Sequence, residues 1–489
     1  MHKSTVQTHD VALSTRMPKI LSLYGPLFLV IGPLLIPSVT VNSLSQSQDS
    51  LEPLPVSTTR TLLADPTLEI ENVLEGDDDF EYPTAMAFLG PNDILVAEKN
   101  TGHVYRVIDG EIQDSPVHDV QVANNNGTNE RGLLGMAVGK SGDTTYVFLY
   151  FTESGGGEDG DDAQGIVPAG NRLYRYEFVD SENGGRLVNP ELLLDLPARP
   201  GPRYNGGPLL ISHINQTTSE DISNGDNATT TTPIIYLLIG DLDHRKTQSE
   251  NYEDGPPPDG TGGILAIDFD GNPLPDPPLG SSDDESDMRE YYYAYGIRNS
   301  FGLDIDPVTG NLWDTENGPD YGDEINLVEP GFNSGWAEVQ GLASSEENEE
   351  VELDEDLEDF DGMGQYSDPK FVWQKPVGVT AIKFYNSTVL GEQYENDLFV
   401  GDINDGILYH FDLTENRTEL VLDGPLADKV ADDDSELDSV IFGTGFRSIT
   451  DIEVGPDGYL YVLMYGGDLI RIIPNGEDEV QDLNLTEAS

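Results

Sequence analysis

The stretch DILVAEKNTGHVYRVI (residues 93–108) decides the fold class, because apolar and polar residues alternate on both sides of Asn100-Thr101-Gly102. Such alternation predicts two β-strands joined by a tight turn. Five more stretches repeat the design: TTYVFLYFT with NRLYRYEF, PIIYLLIGD with GGILAIDFDG, GLDIDPVTGNLWDTE with EINLV, NDLFVGDINDGILYHFDL, and GYLYVLMYGGDLIRIIP. Six repeated hairpins predict an all-β fold, a six-bladed β-propeller with one hairpin in each blade. A β-sandwich and a seven-bladed propeller are the alternatives.

The chain of 489 residues is strongly acidic, with 24 Lys and Arg against 91 Asp and Glu and a formal charge of -67. A surface of this charge repels nucleic acid and anionic membranes, and it favours cations or high salt. The chain has no cysteine, which excludes disulfides, thiolate nucleophiles and Cys-ligated metals. The charge fits either a salt- or acid-adapted source or a very soluble exported protein.

The N-terminus predicts export. Arg16 and Lys19 precede the apolar run ILSLYGPLFLVIGPLLIPSVTV, as in a signal peptide or a retained membrane anchor. Six N-x-[ST] sites fit an exported glycoprotein, namely Asn126, Asn215, Asn227, Asn386, Asn416 and Asn484. We therefore expect a signal peptide or anchor over residues 1–45, a linker over 46–65, the propeller over 66–475 and an acidic tail over 476–489. Both N-terminal alternatives predict an extracellular or cell-surface protein.

The block AYGIRNSFGLDIDPVTGNLWDTENGPDYGDEINLVEPGFNSGW (residues 294–336) holds the densest set of candidate site residues. Loops at one end of propeller strands converge on the axis, where ligands bind. Arg298 offers a planar fork for carboxylates, and Asn299 can both donate and accept hydrogen bonds. The carbonyl groups of Gly318 and Pro319 are free to bind a hard cation, which prefers oxygen ligands.

With this block the sequence resembles the soluble PQQ-dependent glucose/sorbosone dehydrogenases, which are exported six-bladed propellers. Other stretches carry the resemblance in the same order: PTAMAFLGPNDILVAEKNTGHVYRV (83–107), ERGLLGMAV (130–138), YNGGPLLI (204–211), LLIGD (237–241) and GPDGYLYVL (455–463). The resemblance covers about residues 66–475 and rests chiefly on residues 294–336.

The resemblance implies an enzyme in which a side-chain base takes the proton of a sugar hydroxyl, PQQ accepts the hydride and Ca²⁺ polarises the cofactor. Its partners would be a sugar and an electron acceptor, with no nucleic acid, and with a membrane only through an N-terminal anchor. The implied cofactor- or substrate-binding residues are Arg298, Asn299, Asp323 and Arg447. The implied Ca²⁺ ligands are Gly318 and Pro319. Tyr204 stands at the position of the base, and Asp241 at that of its orienting carboxylate.

Two departures from the family pattern bear on activity. The family's base is the histidine of H-N-G-G, and a tyrosine at Tyr204 is a poor general base at neutral pH. His213 and His244 lie nearby in sequence and are the alternatives for that role. The family's R-x-R-D-V is replaced by FRSITDI, which leaves a displaced Arg447, and a family lysine falls at Asn404. Fewer cations weaken the binding of a cofactor with three carboxylates.

Each candidate residue also has a purely structural interpretation. Arg298 fits a pin between blades, Asp323 fits a turn cap, and Gly318-Pro319 fits a metal-free tight turn. The tryptophans of the chain are predicted to be packing residues: Trp313, Trp336 and Trp373. The predicted function is therefore an exported PQQ- and Ca²⁺-dependent sugar dehydrogenase. The alternatives are a non-catalytic carbohydrate- or protein-binding propeller of the same family and a Ca²⁺-dependent hydrolase such as a lactonase.

Overall fold

The computed structural model of the protein describes residues 61–75, 80–124, 129–181, 184–217 and 229–476. The predicted signal peptide or anchor, most of the predicted linker and the acidic tail beyond Gly476 lie outside these residues. The propeller begins earlier than predicted, because Leu62–Leu63 pairs with Ile441–Thr444 in a sheet. Among the described residues no helix is long and apolar enough to cross a membrane.

Within the described residues the strands form six sheets, and in each sheet the strands follow one another outward from the axis. The first sheet contains β3 (Pro83–Gly90), β4 (Asp93–Glu98), β5 (His103–Ile108), β6 (Glu111–Ile112) and β7 (His118–Asp119). The second contains β8 (Leu133–Ser141), β9 (Thr144–Glu153), β10 (Gly170–Val179) and β11 (Arg186–Leu196). The third contains β12 (Leu209–Thr217), β13 (Thr229–Ile239), β14 (Gly263–Asp268), β15 (Tyr292–Tyr295), β19 (Phe332–Asn333) and β20 (Gln365–Tyr366).

The last three sheets follow the same plan. The fourth contains β16 (Gly302–Ile305), β17 (Leu312–Glu316), β18 (Asp323–Val328), β21 (Phe371–Trp373) and β25 (Val430–Ala431). The fifth contains β22 (Val379–Phe384), β23 (Leu398–Asp402), β24 (Ile407–Phe411), β26 (Ile441–Thr444) and β1 (Leu62–Leu63). The sixth contains β27 (Ile449–Val454), β28 (Leu460–Met464), β29 (Leu469–Pro474) and β2 (Leu68–Asn72), so that an N-terminal strand completes a C-terminal sheet.

Helices contribute little to the described chain. The α-helix α1 covers Leu353–Asp356, and the 3₁₀ turns are Asp161–Gln164, Gln248–Glu250, Arg289–Tyr291, Glu346–Asn348, Glu392–Tyr394, Gly424–Asp428 and Asp434–Ser439. All the predicted hairpins are present as antiparallel pairs, as in the register of Ala97 with Val104 in the first one. The period-2 pattern was a reliable guide because each strand buries side chains against a neighbouring sheet.

The six sheets close into a ring. Each innermost strand contacts the innermost strands of two neighbouring sheets, in the cyclic order β3, β8, β12, β16, β22, β27 and back to β3. The hydrophobic core is divided accordingly, with one apolar cluster between each pair of adjacent sheets. Between the sixth and first sheets, for example, Leu463 and Leu469 pack with Met86 and Val96. This is the predicted all-β propeller fold.

Candidate active site

A cavity of about 350 Å³ lies on the axis of the ring. Each inner strand contributes to its wall, through Thr84, Leu134, Leu209, Gly302, Thr380 and Thr450. Loop residues that line it include Lys99, Glu130 and Asn317. The cavity is within the size range of small-molecule sites, and it places the predicted 294–336 block beside the axis.

Arg298 is the centre of the predicted site residues. Its guanidinium Nη1 donates to the carbonyl oxygens of Asn317 at 2.8 Å and Gly318 at 3.0 Å, and Nη2 donates to the Tyr204 hydroxyl. The guanidinium carbon Cζ lies 4.1 Å from the Tyr204 ring centroid and 5.4 Å from that of Trp336. Arg298 thus joins the loop before the third sheet to a loop of the fourth, as its structural interpretation as a pin between blades predicts. The same contacts also assemble a site.

Tyr204 is held at the edge of this cluster by its backbone. Its φ of 59° lies in the left-handed region, which a tyrosine rarely adopts. The Tyr204 N–H donates to the Glu130 carboxylate, and the Tyr204 carbonyl accepts from the Leu242 N–H at 3.2 Å. Since the hydroxyl accepts from Arg298, the phenol is already engaged by a cation.

Asp241 lies directly behind Arg298 and is fully buried. Its Oδ2 accepts from the Trp336 indole N–H at 2.8 Å and lies 3.5 Å from Nδ1 of His244, while its Oδ1 has no partner. Burial raises the pKa of this carboxyl, and hydrogen bonds from the His244 backbone N–H and the Trp336 indole oppose that shift. The His244 and Trp336 rings are stacked, with centroids 5.4 Å apart and planes at 25°. The predicted orienting carboxylate therefore faces His244.

The predicted metal residues lie on a loop that Asp323 fixes in place. Asp323 Oδ1 accepts from the Gly318 N–H at 2.9 Å, and Oδ2 accepts from the N–H groups of Val377 at 2.9 Å and Gly378 at 2.7 Å. The Asp323 carboxylate thus accepts from backbone amides, as its structural interpretation as a turn cap predicts. Gly318 is buried and its carbonyl faces Arg298, whereas Pro319 is exposed.

Arg447 lies away from the cluster around Arg298, whereas Asn299 lies beside Arg298. Asn299 is buried, and its Oδ1 accepts from the Gly206 N–H at 3.3 Å, so it fixes the loop that carries Tyr204. The Arg447 side chain is 65 % exposed and pairs with Asp468 at 3.0 Å, outside the cavity lining. The Arg447 guanidinium therefore faces solvent and not the cavity.

Three residues of the site were not predicted from the sequence. Glu130 lies in the quoted ERGLLG stretch and accepts from Tyr204, and Lys99 lines the cavity with its pKa lowered to about 8 by burial. Trp336 was predicted to be a packing residue and is buried, yet its indole binds Asp241. Trp313 and Trp373 are core residues, as predicted. The glycines around Glu130 and Trp336 were the available signal, but glycines by themselves do not indicate ligands.

Buried carboxyls beside the site give a pH-dependent stability. Burial raises the pKa of Glu250 to about 8 and that of Glu316 to about 7. Both carboxylate oxygens of Glu316 have hydrogen-bond partners. One accepts from the Arg298 N–H at 2.7 Å and the other from Ser334 Oγ at 2.6 Å. Glu250 accepts from the Lys246 N–H at 2.8 Å, but its Oε1 has no partner.

Replacing Glu250 by glutamine is expected to reduce the loss of stability as the pH rises. The folded state holds a proton on Glu250 up to about pH 8, whereas an unfolded glutamate releases it near 4.5. Folding therefore takes up a proton between these values, and the free energy of unfolding falls there by up to about 1.4 kcal/mol per pH unit. Urea denaturation of wild type and E250Q at pH 5, 6, 7 and 8 measures this slope. The exposed Glu349→Gln is the control, and parallel slopes for wild type and E250Q would contradict the assignment.

Comparisons with known proteins identify the family of the chain. Residues 80–471 match the family model described as Glucose / Sorbosone dehydrogenase. The chain is 30 % identical over 198 residues to the aldose sugar dehydrogenase YliI of Escherichia coli. The aligned residues are 39 % of this chain and 46 % of that protein. It is 27 % identical over 263 residues to quinoprotein glucose dehydrogenase B of Acinetobacter calcoaceticus, which is 53 % of this chain and 51 % of that protein. The matches thus span about half the length of these two named relatives.

Solved structures show the same fold. The apo form of the soluble aldose sugar dehydrogenase from Escherichia coli has a TM-score of 0.55 at 20 % identity, covering 84 % of this chain and 100 % of that one. The PQQ-bound aldose sugar dehydrogenase from Streptomyces coelicolor has a TM-score of 0.52 at 19 % identity, covering 83 % and 97 %. The family model covers most of the chain and includes every residue of the cluster around Arg298. The chain therefore belongs to the glucose/sorbosone dehydrogenase family.

Proposed function

We propose that this protein is an exported oxidoreductase that oxidises an aldose or a similar alcohol with PQQ and Ca²⁺. The observation that carries the proposal is the position of Arg298, between aromatic rings and against the Asn317 and Gly318 carbonyls. We also propose that the six sheets of the ring are the six blades of the propeller. The apolar N-terminal run and the exposed sequon residues Asn386 and Asn416 support export.

The residues at the site fit a flat anionic cofactor. Arg298 Nε is a buried donor without a partner, and the cations among the residues that line the cavity are Lys99 and Lys383. The carbonyls of Asn317 and Gly318 supply oxygen for a hard cation, which needs six to eight oxygen ligands and so requires more from the bound cofactor. Fewer cations are present than the family pattern has, since Asn404 packs beside Gly378 where a lysine was expected. We therefore expect weaker binding of PQQ, with the site retained.

The protein's own groups have three tasks in this reaction. Arg298 and Lys99 would attract the anionic carboxylates. The backbone carbonyls of residues 317–319 would hold the cation, once those of Asn317 and Gly318 are released from the Arg298 guanidinium to which they are hydrogen-bonded. Asp323 keeps those carbonyls in place through three backbone amides. The wall formed by the inner strands excludes bulk water from one side of the site. PQQ and Ca²⁺, when bound, supply the two-electron acceptor and its polarisation.

Titration of the metal-free protein with Ca²⁺ and PQQ tests this function. Cofactor absorbance should show saturable uptake that requires Ca²⁺, and added aldoses should reduce a dye acceptor. Arg447→Ala is the matched cation control, and its uptake should stay within about twofold of wild type because the side chain is exposed and screened. Absence of uptake at micromolar PQQ would contradict the proposal. Uptake without turnover for any aldose or simple alcohol would also contradict it.

A non-catalytic sugar- or protein-binding propeller is the second candidate, and the position of Tyr204 favours it. The family's base position holds a phenol, which is a poor general base at neutral pH, and its hydroxyl accepts from Arg298. In the same titration this candidate predicts that aldoses bind, measured by calorimetry, without dye reduction. The two functions differ in whether another side chain has taken over the role of the base.

A further inference from the structure

The loop that follows β13 has an unusual backbone. Leu242, Asp243 and His244 all lie in the left-handed region, with φ values of 51°, 63° and 65°. Residues with side chains avoid this region, and strained residues of this kind cluster at functional sites. The turn is held by hydrogen bonds from the Gly201 N–H to the Leu242 carbonyl at 2.7 Å and from the Arg245 N–H to the Asp241 carbonyl at 2.9 Å. The backbone therefore places His244 in a defined position.

Two contacts fix the imidazole of His244. One ring face stacks on Trp336, and Nδ1 lies 3.5 Å from Oδ2 of the buried Asp241. The side chain remains 48 % exposed, so that a ligand can reach it. A base that is oriented through one nitrogen by a buried carboxylate, with its other nitrogen available, is the arrangement used in catalytic pairs.

His244 belongs to the same cluster as the predicted site. Trp336 contacts both His244 and Arg298, and the Asp241 N–H donates to the Arg298 carbonyl at 2.9 Å. The charges of His244 and Arg298 both act on the Asp241 carboxylate. The Tyr204 hydroxyl, in contrast, is engaged by Arg298. Of the side chains around Asp241 described here, His244 alone combines proton-accepting chemistry near neutral pH with exposure.

We propose that His244 is the catalytic base of this protein, with Asp241 as its positioning residue and Tyr204 as a spacer at the family's base position. This inference rests on the proposed function. Nε2 of His244 takes the proton from the sugar hydroxyl as the O–H bond breaks. The hydrogen on the same carbon leaves with its electron pair to the bound quinone, and a C=O bond forms. The sugar is oxidised by two electrons and the quinone is reduced by two.

A cofactor-free measurement tests the pairing of His244 with Asp241. Imidazole ¹⁵N chemical shifts report which ring nitrogen carries the proton, and the His244 signal is assigned by its loss in His244→Gln. In the wild-type protein the proton should reside on Nδ1, leaving Nε2 free to accept. Asp241→Asn should abolish this tautomer preference. If the tautomer in wild type is Nε2–H, or if it is unchanged in D241N, the proposed pairing is wrong.

Steady-state kinetics of the Ca²⁺- and PQQ-loaded protein test the role in turnover. His244→Gln should lower kcat by about 100- to 10,000-fold and leave PQQ uptake and KM within about threefold. The rise of kcat with pH should disappear in this variant. His118→Gln is the control and should match wild type, because His118 is a partly buried histidine that stacks on Tyr176 outside the cluster formed by Asp241, Trp336 and Arg298. Normal PQQ uptake and turnover in His244→Gln would overturn the inference and leave the proposed function standing.

A second comparison separates the two candidate positions. Should Tyr204→Phe remove the pH dependence of kcat while His244→Gln retains it, the base is Tyr204 and the inference is wrong. If wild type takes up no PQQ, the proposed function fails and the catalytic role of His244 fails with it. The tautomer measurement then still reports on the His244–Asp241 pair by itself.

Discussion

Replacement of Arg298 by methionine is expected to lower the free energy of unfolding by roughly 3 kcal/mol and to abolish PQQ uptake. Methionine retains much of the side-chain volume but donates no hydrogen bond. The carbonyls of Asn317 and Gly318 and the hydroxyl of Tyr204 each lose their charged donor. The loop before the third sheet and the loop of the fourth sheet then lose their common tie.

Arg203→Met is the matched control for this variant. Arg203 also stacks on the Tyr204 ring, at 5.3 Å, but its side chain is 60 % exposed and it pairs with Asp243 at 2.9 Å. Exposed pairs of this kind contribute little, so a change below about 1 kcal/mol is expected. Urea denaturation followed by tryptophan fluorescence measures both variants. If the two variants unfold at the same urea concentration, Arg298 is not the tie between the blades.

Replacement of Asp323 by alanine is expected to destabilise the protein by about 4 kcal/mol and to prevent Ca²⁺ binding. The change leaves three backbone N–H groups without an acceptor, on Gly318, Val377 and Gly378. Hydrogen bonds to a charged group are stronger than those between neutral groups, and all three are lost together. The Gly318 peptide then loses the acceptor of its N–H and keeps only the hydrogen bond from Arg298 to its carbonyl, so we expect cation binding to be lost as well.

Asp320→Ala in the same loop separates this effect from a general loss of negative charge. Asp320 is exposed, and its replacement should change stability by less than about 0.5 kcal/mol. Differential scanning calorimetry in the absence and presence of Ca²⁺ compares the two variants. Ca²⁺ should raise the melting temperature of D320A and leave that of D323A unchanged. A Ca²⁺-dependent rise in D323A would show that the carboxylate does not position the cation ligands.

Much of the fold follows from local sequence patterns. The stretch 93–108 pairs as predicted, with Asp93–Glu98 and His103–Ile108 as neighbouring strands around the turn at Thr101-Gly102. Local alternation is enough here because a hairpin buries one face of each strand whatever the rest of the chain does. The start of the propeller was placed too late, since Leu62–Leu63 shows no alternation of its own and becomes a strand only by pairing with Ile441–Thr444.

The functional residues divide in a different way. Residues 294–336 predicted the candidate site by themselves, because Arg298 and the Asn317–Gly318 turn lie within about two dozen positions of each other. Asp323 and Asn299 lie in the same neighbourhood, and their side-chain oxygens accept from the backbone N–H groups of Gly318 and Gly206. A sequence motif cannot separate a ligand contact from a backbone contact, since both use the same carboxylate or amide chemistry.

The sequence by itself determined the strand pattern, the acidic surface and the family block of this protein, all of which depend on residues close together in the chain. Only the tertiary structure decided which side chain faces Asp241. The indole of Trp336, 95 positions away, lies against Asp241 and His244 because the chain returns from the fourth sheet to add β19 to the third, the sheet whose strand β13 ends just before Asp241. Contacts of this length depend on which distant strands join one sheet, and local periodicity holds no information about them.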